Sequence, residues 1–293
     1  MPLASVRTGQ GPCVGLVRHD EVAVLSPDWG TVDDVVRGGP AALDRVREAA
    51  GKAPTVALSQ VRLDAPLRRF NRDILCTGWN YRDHFEESRG RRDGQDPPAE
   101  PTRPTFFTKG PDTVVGPYDD IAYDPRISAR WDYEAEVALV IGADCRSVDE
   151  ADALSYVFGY CVANDVSQRD LQRAHGGQWL KGKSIDATMP LGPWLTPADE
   201  VPDPAGLRIQ CEVNGELRQD ASTAQMAFPF ARIIAELSWG MTLRAGDVLL
   251  TGTPSGIGNA RQPPVFLNQG DLVVTRVTGL GELRNRLALT RLS

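Results

Sequence analysis

The chain has 293 residues, 41% hydrophobic and 24% charged, and a formal net charge of -7. This composition predicts a globular protein with a sizeable core, in one large domain or a large and a small one. The negative charge argues against nucleic acid as a partner, and no run of about 18 apolar residues indicates a membrane span. The N-terminus lacks the apolar stretch of a secretory signal, so we expect a cytoplasmic protein. Five cysteines without a CxxC pair predict reduced, mostly buried thiols.

The first 70 residues predict a small α+β unit. In chain order its predicted elements are two strands around a tight turn within residues 12–25, a helix capped by Thr31 that runs through Val36, a helix from Ala41 to Ala50, and a strand near Val61–Leu63. Nothing in this part concentrates reactive side chains. We therefore expect a small N-terminal domain over residues 1–70 and a catalytic domain over residues 71–293.

From Asp73 onward, short strands rich in Val, Ile and Leu alternate with Gly and Pro turns, which predicts a mainly β architecture with few helices. The predicted strands include DILCTGW, EVALVIG, YVFGYCVAND, LRIQCEV, DVLLTG and DLVVTRV. Asn214-Gly215 predicts a hairpin turn, and a helix is expected over Pro229–Trp239. No GxGxxG in a βαβ setting and no GxxxxGK[ST] occurs, which disfavours a nucleotide-dependent enzyme.

Residues 88–104 are charged, rich in Pro and Gly, and almost free of apolar side chains. Such a segment cannot order itself by burial alone, so it is a surface linker or a mobile lid. The segment directly follows His84 and Glu87, two candidate site residues, and this position favours a lid.

The segment WDYEAEVALVIG predicts a strand with a well-buried end. Glu134 and Glu136 are two residues apart and therefore lie on one face, where two ionised carboxylates would repel each other. A raised pKa, an Arg or Lys partner, or a divalent cation would relieve that repulsion. The next strand ends on Asp165, which offers a third carboxylate. Oxygen ligands of this kind suit Mg²⁺, Mn²⁺ or Ca²⁺.

Further polar residues flank these carboxylates. His84 precedes Glu87 by three residues, so on a helix the two side chains can hydrogen-bond and orient the imidazole as a base. The alternative is an ordinary surface histidine. Arg169, Gln172 and Lys183 follow Asp165, and cationic groups beside acidic ligands indicate a site for an anionic molecule.

Six segments, taken in order, resemble the fumarylacetoacetate hydrolase superfamily: GWNYRDHFEE, DYEAEVALVIG, ANDVSQRDLQ, GKSIDATMPLGPWL, GDVLLTGTPSGIG and PPVFLNQGD. The resemblance spans about residues 73–290. It implies a C-terminal domain built as a mixed β-sandwich roll, a small N-terminal domain and, usually, a homodimer.

The resemblance also implies roles for individual residues. Glu134, Glu136 and Asp165 would ligate Mg²⁺ or Mn²⁺, and Lys183 would contact the substrate and the metal shell. The remaining expected site residues are Arg169 and Gln172 on substrate oxygens, Thr253 near the substrate carboxylate, and the catalytic pair His84 and Glu87. One departure is GDLVVTRVTGLG, where Arg276 and Thr278 replace acidic residues of the family pattern, so we expect altered packing or substrate contacts there.

These expectations predict a metal-dependent hydrolase that cleaves a C–C bond of a small anionic 1,3-dioxo or 2-oxo acid, of the acylpyruvate or fumarylacetoacetate type. In this hypothesis His84 activates water and the cation stabilises the departing enolate. The same constellation suits an oxaloacetate-type decarboxylase, a 2-hydroxymuconate-type isomerase or a lyase of a 2-oxo sugar acid. A non-catalytic metal-binding protein is the alternative of another class.

Overall fold

The computed structural model describes residues 1–90 and 101–290. The predicted N-terminal elements are confirmed, and strands β1 and β4 are additional. The elements of this part are β1 (Leu3–Thr8), β2 (Gly11–Arg18), β3 (Glu21–Val24), α1 (Val32–Arg37), α2 (Gly39–Ala50), β4 (Thr55–Ala57) and β5 (Arg62–Asp64). As predicted, Thr31 caps α1, in a reciprocal capping box with Asp34.

The rest of the described chain is mainly β. Its strands are β6 (Ile74–Gly78), β7 (Thr105–Lys109), β8 (Val114–Val115), β9 (Ile121–Tyr123), β10 (Trp131–Asp132), β11 (Ala135–Ile141), β12 (Cys145–Arg146), β13 (Val157–Asn164), β14 (Ser167–Gln168), β15 (Met189–Pro197), β16 (Arg208–Val213), β17 (Glu216–Ser222), β18 (Thr242–Leu243), β19 (Val248–Leu250), β20 (Leu272–Val277) and β21 (Gly281–Leu289). Its helices are α3 (Arg82–Glu87), α4 (Arg169–Ala174), α5 (Leu180–Lys183) and α6 (Phe230–Ser238).

Two mixed sheets organise the molecule. The larger has 12 strands in the order β4-β3-β2-β1-β15-β13-β11-β19-β6-β7, with β5 paired to β1 and β8 paired to β15. The smaller has five strands in the order β17-β16-β20-β21-β9. Most pairs are antiparallel, but β19 and β6, β15 and β8, and β21 and β9 run parallel. The predicted fold class, mainly β with some helices, is confirmed.

Strand β11 is apolar from Val137 to Ile141, where both of its faces are buried. Val137, Leu139 and Ile141 face a core shared with β16, β20 and α6. Ala138 and Val140 face a second core that includes side chains of α1, α2, β1 and β2. Side chains alternate along a strand, so Glu136 and Glu134 extend the series that begins with Val140 and Ala138.

Asn214 and Gly215 form the predicted hairpin turn between β16 and β17, with φ of 52° and 82°. Positive φ at both central residues is the geometry that Asn-Gly favours. Arg276, on β20, lies beside Glu212 and Glu282, with Nε 2.7 Å from Glu282 Oε2. The departure from the family pattern at Arg276 is therefore accommodated by local ion pairs.

The larger sheet contains strands from both sides of residue 70, since Leu3 of β1 pairs with Leu195 of β15. The division into two domains at residue 70 stays a prediction. Residues 91–100 of the predicted lid lie outside the described residues. All five cysteines are buried and free, as expected. Among the described residues, none of the helices has the length and apolar character needed to cross a membrane.

Candidate active site

Strand register brings the three predicted carboxylates together. Glu134 lies just before β11, Glu136 lies within it, and Asp165 directly follows β13. In the β11–β13 pair Glu136 is opposite Ala163, and the Asp165 backbone N–H donates to the Glu134 carbonyl at 2.8 Å. Carboxylate oxygens of the three residues lie within 4.8 Å of one another, and all three side chains are buried. Two adjacent strands thus build the cluster.

Two predicted cations face this cluster from short helices. Lys183 Nζ, at the end of α5, lies 2.8 Å from Glu134 Oε2 and 2.7 Å from Asp165 Oδ2. Arg169 Nη2, at the start of α4, lies 2.6 Å from Glu134 Oε1. Helices α4 and α5 pack so closely that a Cβ atom at position 182 would lie 2.2 Å from the Gln172 backbone nitrogen. Glycine at 182 is therefore what allows α5 to carry Lys183 to the carboxylates.

Sequence reasoning missed a third cation, Lys109. It is fully buried at the end of β7, with Nζ 3.0 Å from Asp165 Oδ1 and 2.9 Å from the Val166 carbonyl oxygen. No local pattern in TFFTKGPDT distinguishes this lysine from a surface one. Its role depends on the pairing of β6 and β7, which places the end of β7 beside the cluster.

Asp132 is a second residue that sequence reasoning missed. One of its oxygens lies 2.8 Å from Arg169 Nε, and its carboxylate also accepts hydrogen bonds from the backbone N–H groups of Gly258 and Asn259. Arg169 also donates to Gln172 Oε1 at 3.1 Å, so Asp132 and Gln172 fix the guanidinium. The signal was available, because Asp132 continues the alternation of Glu134 and Glu136 by two residues.

Glu136 differs from the other two carboxylates in its partners. Its Oε2 accepts a hydrogen bond from Gly252 N–H at 2.6 Å, and among the described residues it makes no salt bridge. Gly252 has φ of +96°, and a Cβ there would lie 2.6 Å from Asn80 Cβ, so the approach requires glycine. Thr253, the next residue, accepts a hydrogen bond from Gln219 Nε2 at 2.8 Å.

The predicted histidine pair is formed on α3. His84 Nδ1 lies 2.8 Å from Glu87 Oε1, and Glu87 Oε2 accepts a hydrogen bond from Gly256 N–H at 2.8 Å. Asn80 holds the chain just before this helix, since its Nδ2 donates to the Thr251 carbonyl at 2.8 Å. The pair is thus anchored to the same loop that carries Gly252 and Thr253.

Charges inside the cluster shift the ionisation of its members. Burial would raise the pKa of Glu134, but the positive charges of Lys183 and Arg169 outweigh burial and lower the pKa to about 2. Burial would lower the pKa of Lys183, yet Asp165 and Glu134 raise it above its ordinary value. Burial lowers the pKa of Lys109, against the opposing effect of Asp165. Glu134 is therefore ionised at neutral pH.

The pKa of Glu136 shifts in the direction opposite to that of Glu134. Burial raises its pKa well above the usual value, and the charges of Asp165 and Glu134 add to that effect. A buried carboxyl in this state favours a proton or a cation as its partner. Three buried carboxylates within 4.8 Å form an oxygen donor set that fits a divalent cation such as Mg²⁺ or Mn²⁺.

Two small cavities share part of their lining at the site, and one of them borders the cluster. One, of about 30 Å³, is bordered by Glu134, Glu136, Lys183, Thr253, Thr77 and Phe107, among others. The second, of about 40 Å³, is bordered by Ser88, Arg173, Ile257 and Asn259. Five residues border both: Trp79, His84, Arg169, Gln172 and Trp179. All nine predicted site residues except Glu87 and Asp165 therefore line a cavity, and these two contact residues that do.

The model of the fumarylacetoacetate (FAA) hydrolase C-terminal domain matches residues 73–288. The chain belongs to the fumarylacetoacetate hydrolase family. The family predicted from the six sequence segments is confirmed, and the match covers the residues of the cluster, α3 and both cavities.

Two curated relatives carry the name oxaloacetate tautomerase. Fahd2a of Rattus norvegicus is 42% identical over 258 residues, which are 88% of this chain and 79% of that protein. YisK of Bacillus subtilis is 41% identical over 231 residues, which are 79% of this chain and 74% of that protein.

Solved structures give the same fold. A fumarylacetoacetate hydrolase from Exiguobacterium antarcticum is 35% identical, with a TM-score of 0.85, and the match covers 99% of this chain and 100% of that one. Maleylpyruvate hydrolase from Sphingobium sp. SYK-6, in complex with manganese(II) and pyruvate, is 29% identical with a TM-score of 0.79, over the same shares of the two chains. These relatives are enzymes, so the prediction that this chain is an enzyme of the family is confirmed.

Proposed function

We propose that this enzyme catalyses the metal-dependent keto–enol tautomerisation of oxaloacetate or a similarly small 2-oxo dicarboxylic acid. The observation that carries the proposal is the buried cluster of Glu134, Glu136 and Asp165 beside the cations Arg169 and Lys183, at the lining of a small cavity. Oxygen ligands for a cation next to fixed positive charges favour a small anionic oxo acid as the substrate. The names of the curated relatives at 41% and 42% identity support the same reaction.

Glu134, Glu136 and Asp165 are the residues that would hold the cation, as Mg²⁺ or Mn²⁺. When bound, the cation would supply a Lewis acid that stabilises negative charge on the substrate's keto oxygen. Lys183 and Lys109 hold Asp165 from two sides, at 2.7 Å and 3.0 Å. This second layer of contacts orients the carboxylates before any substrate arrives.

Arg169, Gln172 and Thr253 are proposed to bind the substrate. Arg169 is held by Asp132, and its Nη1 lies 3.1 Å from Gln172 Oε1, so the two side chains present a fixed pair of polar groups beside the cavity. Thr253 is fixed by Gln219. Positioned donors of this kind bind the oxygens of an anionic acid without further rearrangement.

His84 is proposed to move the proton. If Glu87 accepts a hydrogen bond from Nδ1–H, the Nε2 atom keeps its lone pair and can take a proton from the carbon next to the keto group. Return of that proton to the carbonyl oxygen gives the enol, with no bond between carbon atoms broken. Glu87 itself is held by Gly256 N–H, so the imidazole is oriented from behind.

The test is turnover by metal-stripped protein with Mg²⁺ or Mn²⁺ added back, beside Glu136→Gln. Tautomerisation is followed by the loss of enol absorbance when the enol form of oxaloacetate is supplied. Metal-dependent acceleration that is lost in Glu136→Gln supports the proposal. Glu86→Gln, a change at an exposed glutamate of α3, is the matched control and should keep full activity. Enol decay at the uncatalysed rate in the metal-loaded enzyme contradicts the proposal.

A second candidate is C–C bond hydrolysis of an acylpyruvate-type acid, the reaction first expected from the sequence. The His84–Glu87 pair favours it, since an oriented imidazole can equally deprotonate a water molecule. The hydrolases among the structural neighbours support it too. Product analysis separates the possibilities: an isomer from tautomerisation, two acids from hydrolysis, and CO₂ from decarboxylation.

A further inference from the structure

Thr77 is a buried polar residue at the cavity that the mechanism above does not use. It lies in β6, is 2% exposed, and borders the cavity of about 30 Å³ together with Glu134 and Glu136. Within the described part of the chain its hydroxyl oxygen has no hydrogen-bond partner. A buried hydroxyl in this state lowers the stability of the ligand-free protein, so its presence calls for a partner.

Two other threonines at the site show the usual arrangement. Thr251 Oγ1 donates to the Val137 carbonyl at 2.8 Å, and Thr253 Oγ1 accepts from Gln219 at 2.8 Å. Valine has nearly the shape of threonine and would fill the position of Thr77 without burying an unpaired hydroxyl. The hydroxyl is therefore best explained by a partner that enters the cavity.

The chemistry of the cavity indicates what that partner is. Lys183 is already paired with Glu134 and Asp165, and Arg169 with Asp132 and Glu134. A hydroxyl near these carboxylates is a neutral donor, which an anionic ligand can use without breaking an existing ion pair.

We propose that the Thr77 hydroxyl donates a hydrogen bond to an oxygen of the small 2-oxo acid bound in this cavity, which makes Thr77 a substrate-contact residue. This inference rests on the proposed function for the class of substrate. The proposed contact would also contribute to substrate specificity, because it favours acids that place an oxygen next to Thr77 on β6.

The experiment compares Thr77→Val and Thr77→Ser with the wild type. Binding of oxalate, an unreactive dianion, to protein saturated with Mn²⁺ is measured by calorimetry, and KM and kcat are measured with oxaloacetate. We expect Thr77→Val to weaken oxalate binding or raise KM about tenfold or more, with kcat little changed, since a hydrogen bond to a charged group is lost. Thr77→Ser keeps a hydroxyl group and should retain most of the wild-type oxalate affinity and KM.

Thermal unfolding of the ligand-free protein separates a binding role from a structural one. Thr77→Val should unfold at the same temperature as the wild type or higher, because it removes an unpaired buried hydroxyl. Thr251→Val is the matched control and should unfold at a lower temperature, because its hydroxyl is paired with Val137.

Three results overturn the inference. The first is a Thr77→Val enzyme with unchanged oxalate affinity and unchanged KM. The second is a Thr77→Val enzyme that unfolds at a lower temperature and loses only kcat. The third is a Thr77→Val enzyme that binds Mn²⁺ more weakly in the absence of oxalate. The proposed function fails separately: a wild type that turns over no 2-oxo acid, but whose oxalate binding depends on Thr77, leaves the contact standing.

Discussion

His84 Nδ1 lies 2.8 Å from Glu87 Oε1, while the other oxygen of Glu87 accepts a hydrogen bond from the backbone of Gly256. The carboxylate is held on both sides, so it fixes the direction of the imidazole and selects the tautomer with the proton on Nδ1. In the proposed mechanism the opposite nitrogen, Nε2, takes the proton from the substrate.

Glu87→Gln should therefore lower kcat by about 10²-fold or more. The amide oxygen can still accept from Gly256, but its NH₂ group then faces His84 and favours the tautomer with the proton on Nε2. The fold should be unchanged by circular dichroism. Steady-state kinetics check the prediction, with Glu86→Gln as the control. A Glu87→Gln enzyme with wild-type kcat would show that the tautomer is not selected by this contact.

The local pattern of the sequence was enough to predict that two carboxylates lie together on one buried strand. Glu134 and Glu136 share a face because strand alternation fixes side-chain direction, and the apolar run after them indicates a buried strand. The position of Asp165 at a strand end placed it near them only through the resemblance and the order of the strands. The structure adds the register that brings its backbone N–H to the Glu134 carbonyl.

Contacts between distant segments could not be read from local pattern. Lys109 and Asp165 are 56 positions apart, and only the pairing of β6 with β7 and of β6 with β19 carries that lysine into the core. Strand β1 was missed because LASVRT has little alternation of apolar residues. Its place beside β15 comes from tertiary pairing, which overrides a weak local signal.

Lys109→Met should lower the free energy of unfolding by about 3 kcal/mol, because Asp165 loses one of its two buried cations. Added Mn²⁺ should recover part of that loss, since a cation at the cluster restores positive charge beside Asp165. Urea unfolding with and without Mn²⁺ measures both effects. Lys52→Met, at an exposed lysine paired with Glu48, is the control and should change stability little. Equal stability of Lys109→Met and the wild type would refute the stabilising role of Lys109.

Metal affinity should depend on pH through Glu136. Its raised pKa means that the metal-free carboxyl holds a proton at pH values where an ordinary glutamate is ionised. A cation must displace that proton, so affinity for Mn²⁺ should fall as the pH falls and binding should release a proton. Calorimetry in buffers of different ionisation enthalpy, between about pH 6 and 8, measures the release.

The matched variant for this linkage is Glu136→Gln, whose amide has no proton to lose. It should bind Mn²⁺ more weakly and release less proton on binding. Glu216→Gln, at an exposed glutamate, should behave as the wild type does. A wild-type affinity that is independent of pH would mean that Glu136 is already ionised before the cation binds.

Trp79 and Trp179 border the proposed substrate site. Their rings meet edge to face at 4.9 Å between centroids, and both border the cavity of about 30 Å³ and the one of about 40 Å³. Phe107 packs on Trp179 at 5.1 Å, which keeps that ring in place. Trp179→Ala should open one cavity into the other and admit longer 2-oxo acids.

The expected result for Trp179→Ala is a change in preference of about tenfold or more, from oxaloacetate toward an acylpyruvate with a bulky acyl group, as the ratio of kcat/KM values. Some loss of stability should accompany it, because a half-buried aromatic side chain is removed. Trp239→Ala, at a tryptophan that is 76% exposed, is the control and should leave the ratio unchanged. If Trp179→Ala lowers kcat/KM equally for both acids, the ring supports the site without setting substrate length.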